Sequence, residues 1–150
     1  MLDLATFETA AEEGAVLELK NPAGHPLTYD TGETQEVEVE SEMQIQPIIK
    51  PVWVRVAGVE SPRWTKAADQ LTNKLTSISE KRTAQEVRID RCRMIAKMVI
   101  SWEGIFVDGQ SVECTEENAF KLLMRFRWLM EQIDRFIGNR ENFLPASSNA

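Results

Sequence analysis

The sequence predicts an α+β fold, with a small N-terminal antiparallel β-sheet packed on a predominantly α-helical C-terminal half. Two observations carry this reading. Residues 35–42 alternate acid with valine, and residues 52–57 form a β-branched and aromatic run, both inside the first 60 residues. From Trp64 to Ile137, apolar residues recur mostly at helical spacing. At 150 residues, with 43% hydrophobic and 27% charged content, the chain can bury one core. It reads as a single domain over 1–144, β-rich and acidic over 1–60 and helical over 61–138. Small residues from Pro145 to Ala150 read as a flexible tail.

The elements follow in order. Residues 3–13 suit a short helix stopped by Gly14, with Leu4, Phe7 and Ala11 on one face. Val16–Lys20 reads as a strand, and Asn21-Pro22-Ala23-Gly24 as a turn. Pro26–Tyr29 is expected to return as a hairpin, and Asp30-Thr31-Gly32 to turn again. The alternation over 35–42 places Glu36, Glu38 and Glu40 on one face and Val37 and Val39 on the other, as suits a sheet edge. Pro47 and Pro51 bar the next segment from a central strand. Val52–Ala57 is the best strand.

Helices begin at Ser61-Pro62, a hydroxyl cap followed by proline at the first helical position. Trp64, Ala67, Ala68, Leu71, Leu75 and Ile78 then form a stripe that closes at Lys81-Arg82. Thr83–Glu86 is a capping-box pattern opening a helix to about Trp102, with Val87, Ile95, Val99 and Trp102 inward. The residues leave open whether the helices around Thr83 are separate or one kinked rod. Asp108-Gly109 predicts a small hairpin over Phe106–Cys114. Thr115 caps one long final helix, in which Glu116 and Glu117 complement the dipole. Its stripe is Ala119, Leu122, Leu123, Phe126, Met130, Ile133 and Ile137, and Gly138 stops it. Phe120, Trp128, Leu129 and Phe136 widen that stripe around much of the helix, which then needs cover on several sides. The domain itself, a partner helix or a second copy can supply that cover. The segment Asn139–Leu144 reads as an exposed tail.

Charge is uneven. Residues 1–60 hold twelve acidic and three basic side chains, while residues 61–150 hold twelve and fourteen. The acidic part disfavours nucleic acid and anionic membrane. Lys81, Arg82, Arg88, Arg91, Arg93 and Lys97 form the one basic cluster, but Glu86 and Asp90 interleave with it as spaced ion pairs. No apolar run reaches the ~20 residues that span a bilayer, and the start lacks the pattern of a signal peptide. Two cysteines, Cys92 and Cys114, predict no disulfide framework and a reducing cytoplasm.

Candidate chemistry is sparse. The single histidine, His25, lies in a Gly-His-Pro turn, away from any evident nucleophile. Two cysteines and one histidine, widely spaced, do not make a zinc site, and no phosphate-binding glycine motif occurs. The expectation is a non-enzymatic protein with no cofactor and no metal.

Four patches of the chain resemble the tail assembly chaperones of long-tailed (siphovirus-type) bacteriophages, and together they cover most of it. The first is Leu2-Asp3-Leu4 to Leu19 with the following Asn-Pro-Ala-Gly-His-Pro-Leu turn. The second is Val54–Ser61 leading into the Trp64 helix. The third is Val99–Ile105 with Asp108-Gly109. The last, and most specific, joins Thr115–Ala119, Trp128–Ile133 and Phe136–Phe143. Two departures stand out. The segment Gln35–Pro51 is longer and more acidic than the family's usual connection, and Phe126-Arg127-Trp128 stands where the family often has a proline before the tryptophan.

The resemblance implies a chaperone in the host cytoplasm that binds the long helical tape measure protein, keeps it soluble, and leaves as tail tube protein polymerises. This chain resembles the short form, or the shared N-terminal part, of proteins also made in a frameshift-extended form. The expected client contacts are Phe120, Trp128, Phe136 and Phe143, apolar residues in excess of the helix's core stripe. Homo-oligomerisation fits the same surplus. The alternatives are a structural virion protein, such as a tail or head–tail completion subunit, and a small nucleic-acid adaptor using the Lys81–Lys97 face.

Overall fold

The computed structural model describes residues 3–76 and 82–145. Helix α1 (Ala5–Glu13) opens where Asp3 accepts the Ala5 N–H at 2.9 Å. It ends at Gly14, whose φ of +83° turns the chain straight into a strand. Phe7 and Ala11 face inward as expected, but Leu4 is exposed, because it precedes the first helical turn.

The main sheet has three antiparallel strands in the order β1 (Ala15–Glu18), β4 (Trp53–Val56) and β5 (Val99–Glu103). The run read as the best strand lies at its centre. Val54 and Val56 are buried, with Val52 just before them, in keeping with a period of two. Strand β5 corrects the expectation of a helix reaching Trp102. Helix α3 (Ala84–Met98) stops at Val99, which is extended. Val99, Ile100 and Trp102 are β-branched or aromatic, and β4 pairs with Val99 and with Ser101, Trp102 and Glu103, leaving Ile100 at a register shift. Burial on α3 begins only at Cys92, so Val87 is exposed instead of inward. The strands are therefore spread along the chain, not confined to the N-terminal part. A short hairpin, β6 (Phe106–Val107) and β7 (Gln110–Ser111), turns at Asp108-Gly109 as predicted, both residues having positive φ.

Between β1 and β4 the chain makes a long two-stranded arm, β2 (Thr28–Val39) and β3 (Glu42–Pro51), that joins no larger sheet. The expected return at Pro26–Tyr29 shrinks to one bridge, Lys20 with Pro26, because Thr28 already belongs to β2. Asp30-Thr31-Gly32 is a bulge, not a turn. Gly32 supplies φ +81°, Asp30 Oδ1 accepts its N–H at 2.9 Å, and the register shifts before Thr34. Glu40 and Ser41, both with positive φ, close the tip as a two-residue turn.

The base of the arm is tied to the sheet. Tyr29 donates its hydroxyl to Glu103 Oε1 at 2.6 Å, and Trp53 Nε1 donates to Oε2 at 3.1 Å. The Tyr29 bond holds the Glu103 carboxyl below the usual carboxylate range. A depressed folded value means that this stabilisation is complete above the pH where the unfolded chain's carboxyl ionises. It is lost as pH falls through the lower folded value. Tyr29→Phe should therefore flatten the acid side of stability against pH, measured as urea midpoints across the acidic range.

Helix α2 (Pro62–Thr76) is capped by Ser61, which is fully buried; its Oγ accepts the Trp64 N–H at 3.1 Å and donates to Gly58 O at 2.6 Å. Ala67 is buried, Trp64, Ala68 and Leu71 are half-buried, and Leu75 is exposed. Ile78 and Lys81 lie outside the described residues, as does the tail from residue 146. Helix α3 starts afresh at a Thr83 cap that accepts the Glu86 N–H at 3.1 Å.

The long final helix is two helices, α4 (Glu116–Arg125) and α5 (Arg127–Gly138). Phe126, at φ −113° and ψ 90°, leaves the helical path while serving as the C-cap of one and the N-cap of the next. Each half then aims its own face at the core: Ala119, Leu122 and Leu123 from α4, and Leu129, Ile133 and Ile137 from α5. Much of the girth that seemed to demand outside cover is buried by this break. The Asn139–Leu144 segment is likewise not an exposed tail. It forms a 3-10 turn (Arg140–Phe143) that buries Phe143 while Leu144 stays exposed.

Candidate partner-binding groove

Helix α5 lies beside the free edge of β1, and a groove of about 520 Å³ runs between them. Trp128, Gln132 and Phe136 recur four residues apart, so they share one face of α5 and form one wall. Leu17, Glu18 and Lys20 form the other. Gln132 spans the groove at one end. Its Oε1 accepts the Lys20 N–H at 2.8 Å, and its Nε2 donates to Lys20 O at 2.9 Å. An amide side chain there pairs with the backbone just beyond β1 as a neighbouring strand would.

The strand register explains why that edge is available. Leu19 donates its N–H to Val52 O at 2.8 Å, so Leu17 and Ala15 point their backbone groups at β4 in turn. By the same alternation Val16 and Glu18 direct theirs away from β4, and Glu18 borders the groove. The site thus offers main-chain donors and acceptors on one side and half-buried aromatic surface on the other. Both are what an incoming polypeptide needs.

The four residues expected to meet a client do not all gather there. Trp128 and Phe136 line the groove. Phe143 is 6% exposed; it packs edge-on against Phe136 at 5.5 Å and covers Gly58. Phe120 lies apart on α4, half-buried under the Arg93 guanidinium at 3.7 Å. Sequence reasoning missed Gln132 and the β1 edge. Gln132 had a signal, since it stands midway between Trp128 and Phe136. The open edge had none, because it depends on which strands pair.

The basic cluster is largely tied up within the chain. Arg82 meets Asp90, Arg91 meets Asp134, Arg93 meets Glu117 at 3.2 Å, and Lys97 donates to Gln70 at 2.8 Å. Arg88 donates to the Met124 carbonyl. Burial pushes the thiols of Cys92 and Cys114 up, away from reactive thiolate. Among the described residues no group of three or more His, Cys, Asp or Glu side chains could hold a metal ion. None of the helices there is long and apolar enough to cross a membrane. No family model, no curated protein and no solved structure matches the chain.

Proposed function

We propose that this chain is a non-enzymatic phage tail assembly chaperone, which binds and solubilises the tape measure protein before and during tail tube polymerisation. The four patches of resemblance motivate the identity of the client. The groove between α5 and the β1 edge is the observation that carries the mechanism. Trp128 and Phe136 shield apolar side chains of the client from water, and the outward backbone groups of Glu18 satisfy its backbone. The groove is open to solvent and bordered by Glu18, Lys20, Glu131 and Arg135, which limits affinity and allows release when tube subunits compete.

Co-expression with the tape measure protein should yield a soluble complex that co-purifies. Trp128→Ala with Phe136→Ala should weaken it by about tenfold or more, the loss expected for central aromatic contacts. Both side chains are half-buried, and Trp128→Ala alone, which keeps the Phe136–Phe143 contact, supplies a second variant for the measurement. A stable monomer that never co-purifies with the client counts against the proposal. So does finding the chain itself in purified virions by mass spectrometry, which indicates a structural subunit instead.

A further inference from the structure

The β2–β3 arm presents two parallel rows on one face. Met43, Ile45 and Ile49 are 62%, 74% and 50% exposed. The register places Glu38 opposite Met43, Glu36 opposite Ile45 and Asp30 opposite Ile49. Cross-strand partners share a face. Each exposed apolar side chain therefore stands beside a carboxylate, in an apolar row on β3 and an acidic row on β2. The whole arm holds six acidic residues and one basic, Lys50.

An isolated two-stranded ribbon is marginal in water, and this one leaves its apolar row uncovered. Stacking two such faces would set carboxylate rows against each other, so the face disfavours a second arm as its cover. Its charge instead matches a cationic partner. The spacing suits a helix: alternate strand residues advance about 6.6 Å, and helix residues four apart advance about 6 Å.

We propose that this arm face docks a cationic amphipathic helix of a protein partner, its apolar stripe on Met43, Ile45 and Ile49 and its flanking Lys or Arg on Glu38, Glu36 and Asp30. This deepens the chaperone reading and rests on it for the nature of the partner, since it names the chemistry of one client segment.

The probes are two designed helical peptides with the same leucine stripe, one flanked by lysines and one by glutamates. Binding to the full chain is read by fluorescence anisotropy. The lysine peptide should bind at least about tenfold more tightly at low salt, and the gap should narrow as salt rises. Met43→Gln with Ile45→Gln should weaken the lysine peptide about tenfold. Glu36→Gln with Glu38→Gln should remove most of the discrimination. These side chains are exposed, so the melting of the helical body should not move, and Trp128→Ala with Phe136→Ala should leave peptide binding unchanged. Equal binding of the two peptides overturns the proposal. So does indifference to both arm variants, or self-association of the chain that Met43→Gln with Ile45→Gln abolishes. If the tape measure protein does not co-purify but the arm still takes the lysine peptide, the chaperone reading fails and the arm site stands. If the client co-purifies and the arm is inert, only the arm proposal fails.

Discussion

Gly14→Ala should destabilise the fold by about 2–6 kcal/mol, read as a lower urea midpoint with an unchanged slope. Two effects add. At φ +83° and ψ 178° the residue occupies a region that is essentially reserved for glycine, and forcing a side chain into it costs about 1–3 kcal/mol. An added Cβ would also fall 2.5 Å from the Val56 carbonyl oxygen, which is main chain in the central strand and cannot swing aside. Overpacking of that kind costs roughly another 1–3 kcal/mol. Gly24→Ala is the control. It shares a positive φ of +87° but has nothing within 4 Å of the added carbon, so only the conformational cost of about 1–2 kcal/mol remains. Equal losses at the two positions would show that the close approach of α1 to the sheet is not what makes Gly14 necessary.

Phe143→Ala should cost about 3–5 kcal/mol, the range for emptying a buried aromatic site. For a chain of this length that lowers the melting temperature by roughly 10 °C. Phe143 closes the end of the core: its ring lies against Gly58, meets Phe136 edge-on and borders the cleft beside Leu4 and Phe7. Its loss should also free the 3-10 turn, so amide exchange should accelerate at Arg140–Phe143 before global unfolding. This separates it from Trp128. On the proposed chaperone reading, Trp128→Ala should weaken binding of the proposed client with a much smaller change in melting, whereas Phe143→Ala should weaken it only as far as it unfolds the chain. A Phe143→Ala protein that melts normally but loses its client would restore this residue to the contact surface.

The two outcomes matter for the mechanism because they divide the aromatic residues by role. A helix with Phe120, Trp128, Leu129 and Phe136 added to a full apolar stripe reads as over-supplied. Breaking it at Phe126 sends Leu129 into the core, sets Phe120 beneath Arg93, and leaves Trp128 and Phe136 on the groove. The local sequence permits this. Arg127 is the first residue of α5, the position where proline is favoured in a helix, so a helix start there breaks no local rule.

Local chemistry determined a good deal on its own. The caps at Ser61, Thr83 and Thr115, the stop at Gly14 and the turn at Asp108-Gly109 follow from hydrogen bonding and φ preferences within a few residues, and they appear as read except that Thr83 caps α3 without the reciprocal Glu86 side-chain bond of a capping box. So does the central strand at Trp53–Val56, whose valines had only one way to alternate into a core. Tertiary structure decided the rest. Val99–Glu103 carries enough helical periodicity to continue α3, and only the unpaired edge of β4 draws it into the sheet. Asp30-Thr31-Gly32 suits a turn and a bulge equally, and pairing with β3 selects the bulge. The β1 edge, the Gln132 bridge across it and the rows on the arm likewise arise from which strands lie beside each other. Such pairings satisfy backbone groups far apart in the chain, and no local preference encodes them.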